Sequence, residues 1–218
     1  MAQLRVRYQT IEFGEIDIHI RSLRDNLQFS DDQGEAQRLG ISSASWPLFG
    51  VVWDAGQVLA RIMWEYEIEG KKILEVGCGI GLSSLLLNHR RADITATDYH
   101  PEAGRFLREN VRLNKGNPIP FIRTAWEDRG SGLGRFDLII GSDLLYEAPH
   151  SRQLAHFIHR RANPGCEVII VDPGRGNHNR FCREMAALGY AHRQTRPKTE
   201  AFLDSPFKGR VLWLNRGK

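Results

Sequence analysis

Three glycines at every second position, Gly77, Gly79 and Gly81, form the most distinctive local pattern in the sequence. They follow a short apolar run over 73–76 and precede a second apolar run over 82–87. Glycine admits backbone torsions and a close ligand approach that other residues do not. The start of a helix also offers free N–H groups to an anion. The pattern therefore indicates a strand, a turn and a helix, with a ligand held at the turn.

Two acidic residues beside this turn indicate what the ligand carries. Glu75 precedes the first glycine, where a carboxylate would repel a pyrophosphate and favour a cationic group. Asp98 ends the next apolar run, where a carboxylate can accept both hydroxyls of a ribose. The glycine spacing also differs from that of dinucleotide-binding GxGxxG turns. We therefore predict S-adenosylmethionine as the ligand, and a packing turn is the alternative for the glycines taken alone.

The elements that must position these residues alternate regularly along the chain. From 73 onward, apolar strand-like runs alternate with amphipathic helix-like runs, which is typical of a parallel sheet covered on both faces. Two final strand-like runs, over 190–196 and 211–215, have no helix between them and predict an antiparallel edge hairpin. We expect an α/β fold with a Rossmann-like, doubly wound, mostly parallel seven-stranded sheet. Its ligand should lie at the carboxyl ends of the strands.

The first 45 residues predict a separate extension. Polar and apolar residues alternate over 6–13 and 16–20 on either side of Gly14, which predicts a β-hairpin. The segment 25–45 is polar and irregular and predicts a linker or a mobile loop. We therefore divide the chain into an N-terminal β-hairpin and loop extension over 1–45 and a cofactor-binding domain over 46–218. Asp54 and Gln57 predict a capping box at the first helix of that domain.

Composition limits the classes of function. The 218 residues are 41% hydrophobic and 26% charged, which fits a globular domain with a short appendage. No apolar run approaches membrane-spanning length, and no secretory signal is visible. Three cysteines without a CxxC pair favour the reducing cytoplasm, and the scattered histidines predict no metal site. The net charge is +4 without an arginine-rich tail, which favours a solvated basic surface over a nucleic-acid site.

The sequence resembles the seven-strand S-adenosylmethionine-dependent methyltransferases. Within them it is similar to the DxxY group called methyltransferase family sixteen, which contains many protein lysine methyltransferases. The segments that carry the resemblance are 52–60, 74–81 with Asp98, 125–127 and 136–146. The likeness runs from about residue 53 to residue 171.

The resemblance implies roles for individual residues. The predicted cofactor-binding residues are Trp53, Glu75, Gly77, Gly79, Asp98, Trp126 and Ser142. Among these, the resemblance implies that Trp53 lines the pocket and that Trp126 lies by the adenine. The predicted catalytic residues are Asp143 and Tyr146, which the resemblance implies face the substrate amine.

A lysine amine must lose its proton before it can accept a methyl group. With a pKa near 10.4, freeing the amine at pH 7 costs about 4.6 kcal/mol. Asp143 is a poor base for this task, and an ionised carboxylate would hold the proton on the amine. We therefore expect Asp143 to capture and aim the amine, and Tyr146 to fix its angle by a hydrogen bond.

Several acceptors remain open. A protein lysine is the leading one, and a small-molecule amine is the alternative within the same fold. The NPPY-like motif of base methylation is absent because 142–146 reads Ser-Asp-Leu-Leu-Tyr, which argues against adenine. A non-catalytic S-adenosylmethionine-binding module is the alternative from another class.

Two segments near the predicted site allow two interpretations each. The run 172–175 ends the fifth strand, and we favour a plain Pro-Gly turn over part of a substrate mouth. Phe202, Pro206 and Phe207 lie between the last two strands, where they would form either a substrate wall or a packed loop.

Overall fold

A computed structural model of the chain describes residues 4–129, 132–197, 203 and 205–217. The N-terminal part forms the predicted hairpin, with β1 (Val6–Phe13) and β2 (Ile16–Leu23) paired antiparallel. Gly14 lies at the turn between them with a φ of +62°. The hairpin prediction is therefore confirmed.

The segment after the hairpin contains a short helix that the sequence pattern did not predict. This helix, α1, spans Glu35–Arg38, and a 3-10 helix follows at Trp46–Gly50. The carboxylate of Asp31 accepts the backbone N–H groups of Ala36 and Gln37 and so fixes the start of α1. Part of this polar segment is therefore regular structure, with its hydrogen bonds supplied locally.

The remaining elements form the main sheet and its helices. The strands are β3 (Lys72–Val76), β4 (Asp93–Asp98), β5 (Phe121–Arg123), β6 (Phe136–Ser142), β7 (Ala162–Asp172), β8 (Tyr190–Thr195) and β9 (Arg210–Arg216). The helices are α2 (Asp54–Glu65), α3 (Leu82–His89), α4 (Ala103–Leu113), α5 (His150–Arg161) and α6 (His178–Ala187).

The sheet has the order β5-β4-β3-β6-β7-β9-β8. The strands from β5 to β7 are parallel, whereas β9 runs antiparallel to both β7 and β8. This arrangement confirms the predicted doubly wound sheet and its antiparallel edge hairpin. Strand β3 pairs with β4 on one side and with β6 on the other, so the strand order reverses at β3. A ligand crevice is expected at the carboxyl end of a strand where the order reverses.

Side chains of the central strands point alternately to the two faces of the sheet. In β3, Ile73 packs into the core on one face, and Leu74 and Val76 pack into the core on the other. The first core includes side chains of α2, α3 and α4, and the second includes side chains of α5 and α6. Burial on both faces explains why these strands read as continuous apolar runs rather than as alternating ones.

The hairpin packs against the first of these cores. Ile18 and Ile20 of β2 are fully buried there. Two asparagine side chains of α4 also bond the backbone of β2: Asn110 pairs with Arg21, and Asn114 pairs with His19, each through one N–H and one C=O. The side chain of Asn110 also donates to the carbonyl of Ile80 in the glycine turn.

The start of α2 differs from the prediction. Asp54 is the first helical residue and Trp53 is the N-cap, and no side chain caps the helix by a hydrogen bond. The predicted capping box is therefore wrong, because Asp54 lies one position too late to act as the cap. Within the described part of the chain, no helix is long and apolar enough to cross a membrane.

Candidate active site

A cavity of about 730 Å³ lies at the carboxyl ends of β3, β4 and β6. All of the predicted site residues line it, both the cofactor-binding and the catalytic ones. They are Trp53, Glu75, Gly77, Gly79, Asp98, Trp126, Ser142, Asp143 and Tyr146. The structure thus brings together residues from five separate segments of the sequence, although their roles remain predictions.

The glycine turn forms the floor of this cavity and has no room for side chains. Gly77 and Gly79 have φ values of +61° and +55°, in the left-handed region that favours glycine. A Cβ atom at Gly79 would lie 2.7 Å from the carbonyl oxygen of Phe49, and one at Gly77 would collide with Leu144. The turn is therefore held by sterics as well as by torsion angles.

Asp98 links the end of β4 to the glycine turn. Its Oδ2 accepts the N–H of Gly79 and its Oδ1 accepts the N–H of His100, each across 2.8 Å. Burial raises the pKa of Asp98, and these two hydrogen bonds oppose the rise. Each carboxylate oxygen keeps acceptor capacity, since an ionised carboxylate has about four lone-pair sites. The residue can therefore accept the two hydroxyls of a ribose.

Glu75 lies beneath the turn and is 4% exposed. Its Oε2 accepts the backbone N–H of Ser84 across 3.0 Å and also the Ser84 hydroxyl. Burial raises the pKa of Glu75 to about 7, with a further contribution from the charge of Asp98, while the bonds from Ser84 oppose the rise. Without a ligand, this side chain is therefore poised to bind or release a proton near neutral pH, and a cationic ligand would favour its ionised form.

Aromatic residues cover the cavity from the segment before α2. Phe49 stacks on His100 with ring centroids 4.0 Å apart, and Trp46 contacts both rings edge-on. The indole N–H of Trp53 donates to the carbonyl of Leu48 across 2.8 Å. Burial lowers the pKa of His100 to about 3, so its ring is neutral. Sequence reasoning predicted Trp53 in the pocket but missed Phe49 and Trp46, for which the aromatic spacing of Trp46, Phe49 and Trp53 was the available signal.

Asp143 also lines the cavity and is paired with an arginine. Its backbone has a φ of +53°, and its N–H donates to the carbonyl of Val171 across 2.9 Å. Arg175 binds both carboxylate oxygens, with Nε 2.5 Å from Oδ1 and Nη2 2.7 Å from Oδ2. The Asp143 side chain is 12% exposed and that of Arg175 is 43% exposed. The cavity therefore holds a carboxylate that already has a cationic partner.

The turn that carries Arg175 is built from the residues that end β7. Gly174 and Gly176 flank the arginine with φ values of +102° and +88°, and the carboxylate of Asp172 accepts the N–H of Gly174 across 2.9 Å. Arg175 lines the cavity. Sequence reasoning favoured a plain turn here and so missed this residue. The available signal was a single arginine between two glycines at the end of the strand beside β6.

Tyr146 lies at the mouth of the cavity and is 48% exposed. Its ring meets the His150 ring edge-on with centroids 4.7 Å apart, and Trp126 meets the same imidazole at 5.2 Å. Partial burial and the nearby carboxylates of Asp98 and Glu147 raise the pKa of the phenol. Tyr146 is therefore protonated at neutral pH and can both donate and accept a hydrogen bond.

The loop before β9 lies away from this cavity where it is described. Phe207 is partly buried and packs against the first core, which favours the packed-loop interpretation for that residue. Pro206 is exposed. Phe202 lies outside the described residues.

Comparison with known proteins gives matches over most of the chain. A family described as lysine methyltransferase matches residues 42–186. The electron transfer flavoprotein beta subunit lysine methyltransferase of Rattus norvegicus is 30% identical over 147 residues, which cover 64% of this chain and 55% of that protein. The EEF1A lysine methyltransferase 3 of Mus musculus is 26% identical over 156 residues, which cover 69% of this chain and 64% of that protein.

The chain thus spans little more than half the length of the first of these relatives. Among solved structures, the magnesium protoporphyrin IX methyltransferase of Synechocystis PCC 6803 with bound SAM superposes with a TM-score of 0.58 at 20% identity. That match covers 75% of this chain and 78% of the solved chain. At this identity the similarity concerns the fold.

Proposed function

Because the chain belongs to the lysine methyltransferase family that matches residues 42–186, we propose that it transfers a methyl group from S-adenosylmethionine to a lysine side chain of a protein. The observation that carries this proposal is the shared cavity. The glycine turn, Asp98, Asp143 and Tyr146 all line it. The named substrates of the two relatives are proteins, which supports a protein as the acceptor.

The residues of the cavity fit S-adenosylmethionine. Asp98 keeps acceptor sites for the ribose hydroxyls, and Gly77 and Gly79 line the same cavity. Glu75 supplies a buried carboxylate that becomes fully ionised when a cationic group lies nearby. When bound, S-adenosylmethionine supplies a methyl group attached to a positively charged sulfur.

The chain's own contribution is to orient the acceptor and to keep water away. An oxygen of Asp143 that is bound once by Arg175 can accept a further N–H, and the Tyr146 hydroxyl can accept another. Two such contacts fix the direction of the nitrogen lone pair, which is the main requirement for displacement at a methyl carbon. Phe49 and Trp53 line the cavity with apolar rings, and Trp46 packs behind Phe49, which supports a site that limits the access of water.

The form of the mouth supports an acceptor that arrives from outside on a long side chain. Tyr146 and Arg175 are each nearly half exposed, whereas Asp143 lies deeper. The four-carbon stem of lysine can cross such a rim and bring its amine to a recessed carboxylate.

The three cysteines are buried and free, which supports our proposal that the protein works in the reducing cytoplasm.

A labelling experiment tests this function. The protein is incubated with a cell extract and S-adenosylmethionine that carries a radioactive methyl group, and the label is then located. We expect a labelled protein band in which the label maps to lysine, and no band with Asp143→Asn. Label confined to the low-molecular-weight fraction would instead identify a small amine as the acceptor. No label together with no heat of S-adenosylmethionine binding would overturn the proposal.

A further inference from the structure

The ion pair between Asp143 and Arg175 bears on a difficulty in amine methylation. A bare carboxylate beside the acceptor would stabilise the ammonium form, because an opposite charge within about 4–6 Å favours the protonated state of an amine. The ammonium nitrogen has no lone pair for transfer. A site that binds lysine by its charge alone would therefore oppose its own reaction.

Arg175 removes this difficulty by geometry. Its guanidinium binds both oxygens of Asp143 side by side, the bidentate arrangement that makes such pairs strong and directional. The hydrogen bonds and charge of Asp143 in turn raise the pKa of Arg175, so the arginine stays charged. The carboxylate keeps hydrogen-bond acceptor sites while its net charge is cancelled.

The backbone holds both partners at neighbouring strand ends. Asp143 follows β6 in a left-handed conformation and is tied to Val171 of β7. Arg175 lies between two left-handed glycines, in a turn tied by the bond from Gly174 to Asp172. The backbone thus brings the two residues to adjacent strand ends, and the two hydrogen bonds between their side chains complete the pair.

We propose that Arg175 is a positioning residue for methyl transfer, which orients Asp143 and cancels its charge so that the acceptor lysine binds as a neutral amine. The inference rests on the proposed function. The ammonium proton passes to solvent water before the amine enters, and the amine then donates an N–H to an oxygen of Asp143.

Other charged groups surround the pair and act on it in known directions. The charge of Asp172 of β7 acts on Arg175, burial raises the pKa of Asp172, and His178 of α6 lies 3.6 Å from its carboxylate. Asp98 and Glu147 act on Tyr146 from the same cavity. These residues are the same in the wild type and in the Arg175 variants.

The first test compares the pH dependence of kcat at saturating protein substrate in the wild type, Arg175→Gln and Arg175→Lys, because kcat reports the pKa values of groups in the enzyme–substrate complex. We expect the rising limb of the pH profile to move about one pH unit upward in Arg175→Gln. At a pH on that limb, this shift is about a tenfold loss of rate. Arg175→Lys should leave the position of the rising limb unchanged, because the positive charge is retained. The rate should still fall, because lysine cannot bind both oxygens of Asp143 as the guanidinium does. Arg180→Gln removes the same charge from the exposed surface of α6 and should change neither quantity. An unmoved limb in Arg175→Gln would overturn the inference, whatever the loss of rate.

The second test requires no turnover. Calorimetry measures the binding of n-butylammonium to protein loaded with S-adenosylhomocysteine at pH 7. We expect Arg175→Gln to bind this cation about tenfold more tightly than the wild type, because Asp143 is then unpaired. The double variant Asp143→Asn, Arg175→Gln should lose that gain. If the wild type methylates no lysine, the proposed function fails. The binding comparison then decides by itself whether Arg175 cancels the charge of Asp143. Equal binding by the wild type and Arg175→Gln would reject this role.

Discussion

The backbone N–H of Gly79 donates to Oδ2 of Asp98 across 2.8 Å, so the glycine turn after β3 and the acidic end of β4 hold each other in place. The same carboxylate holds the N–H of His100 through its other oxygen. A single side chain therefore sets the shape of the turn and also presents acceptors to a ligand. Substitutions at Asp98 must be chosen to separate these two effects.

We predict that Asp98→Asn weakens S-adenosylmethionine binding by about 10- to 100-fold, since hydrogen bonds to a charged group contribute about 1.5–3 kcal/mol. Asparagine is nearly isosteric and keeps one acceptor for the turn. Calorimetric titration gives the dissociation constants. Asp93→Asn, at the exposed start of β4, is the matched control and should bind as the wild type does. Equal affinity in Asp98→Asn would show that this carboxylate does not hold the ribose.

A second prediction concerns the crowding at Gly79. Alanine there combines a left-handed φ with a Cβ atom 2.7 Å from the carbonyl oxygen of Phe49. Gly132 has a similar φ of +69° but no atom near its Cβ position, so Gly132→Ala carries the torsional cost alone, about 1–2 kcal/mol. We expect Gly79→Ala to lose more than Gly132→Ala in the free energy of urea unfolding and to lose cofactor affinity as well. Equal losses of unfolding free energy in the two variants would mean that the backbone at Phe49 shifts easily to make room for the new Cβ atom.

A third prediction concerns pH. Because the pKa of Glu75 is raised to about 7, the folded chain binds its proton more tightly than the unfolded chain does. The stabilisation is therefore present below the unfolded pKa, near 4.5, and is lost as the pH rises through about 7. We expect the wild type to lose about 3 kcal/mol of unfolding free energy relative to Glu75→Gln between pH 4.5 and 8. Urea unfolding of both proteins at the two pH values measures this difference. A parallel pH dependence of the two proteins would contradict the prediction.

A fourth prediction separates binding from chemistry at Asp143. We expect Asp143→Asn to bind S-adenosylmethionine as the wild type does but to methylate about a hundredfold more slowly, because the amine loses its main orienting contact. Binding is measured by calorimetry and methylation by initial rates under saturating cofactor. Transfer at the full rate by this variant would remove Asp143 from the mechanism.

The sequence was most informative where a local pattern determines the structure. Glu75 lies near the end of β3 and Gly77 and Gly79 follow it, so their position at its carboxyl end could be predicted from the order of residues. Asp98 could be predicted in the same way, because parallel strands of one sheet end at the same edge. The alternation of strands and helices likewise predicted the sheet and its edge hairpin.

Features that depend on contacts between distant segments were harder to predict. Arg175 meets Asp143 only because β6 and β7 are neighbours and the turn after β7 bends toward the cavity. The contact of Phe49 with Gly79 similarly requires the packing of a 3-10 helix over a turn. Neither contact has a periodic signature, and the polar composition of 25–45 concealed the short helix at Glu35–Arg38.

The asparagines of α4 have a consequence for how the hairpin meets other molecules. The outward N–H and C=O groups of His19 and Arg21 would otherwise form a free strand edge, and such edges recruit strands from other chains and promote aggregation. Asn110 and Asn114 occupy these groups as a partner strand would. At these two residues the edge of β2 is therefore closed to β-strand addition by a foreign chain, although within the described part of the chain β2 pairs with β1 alone.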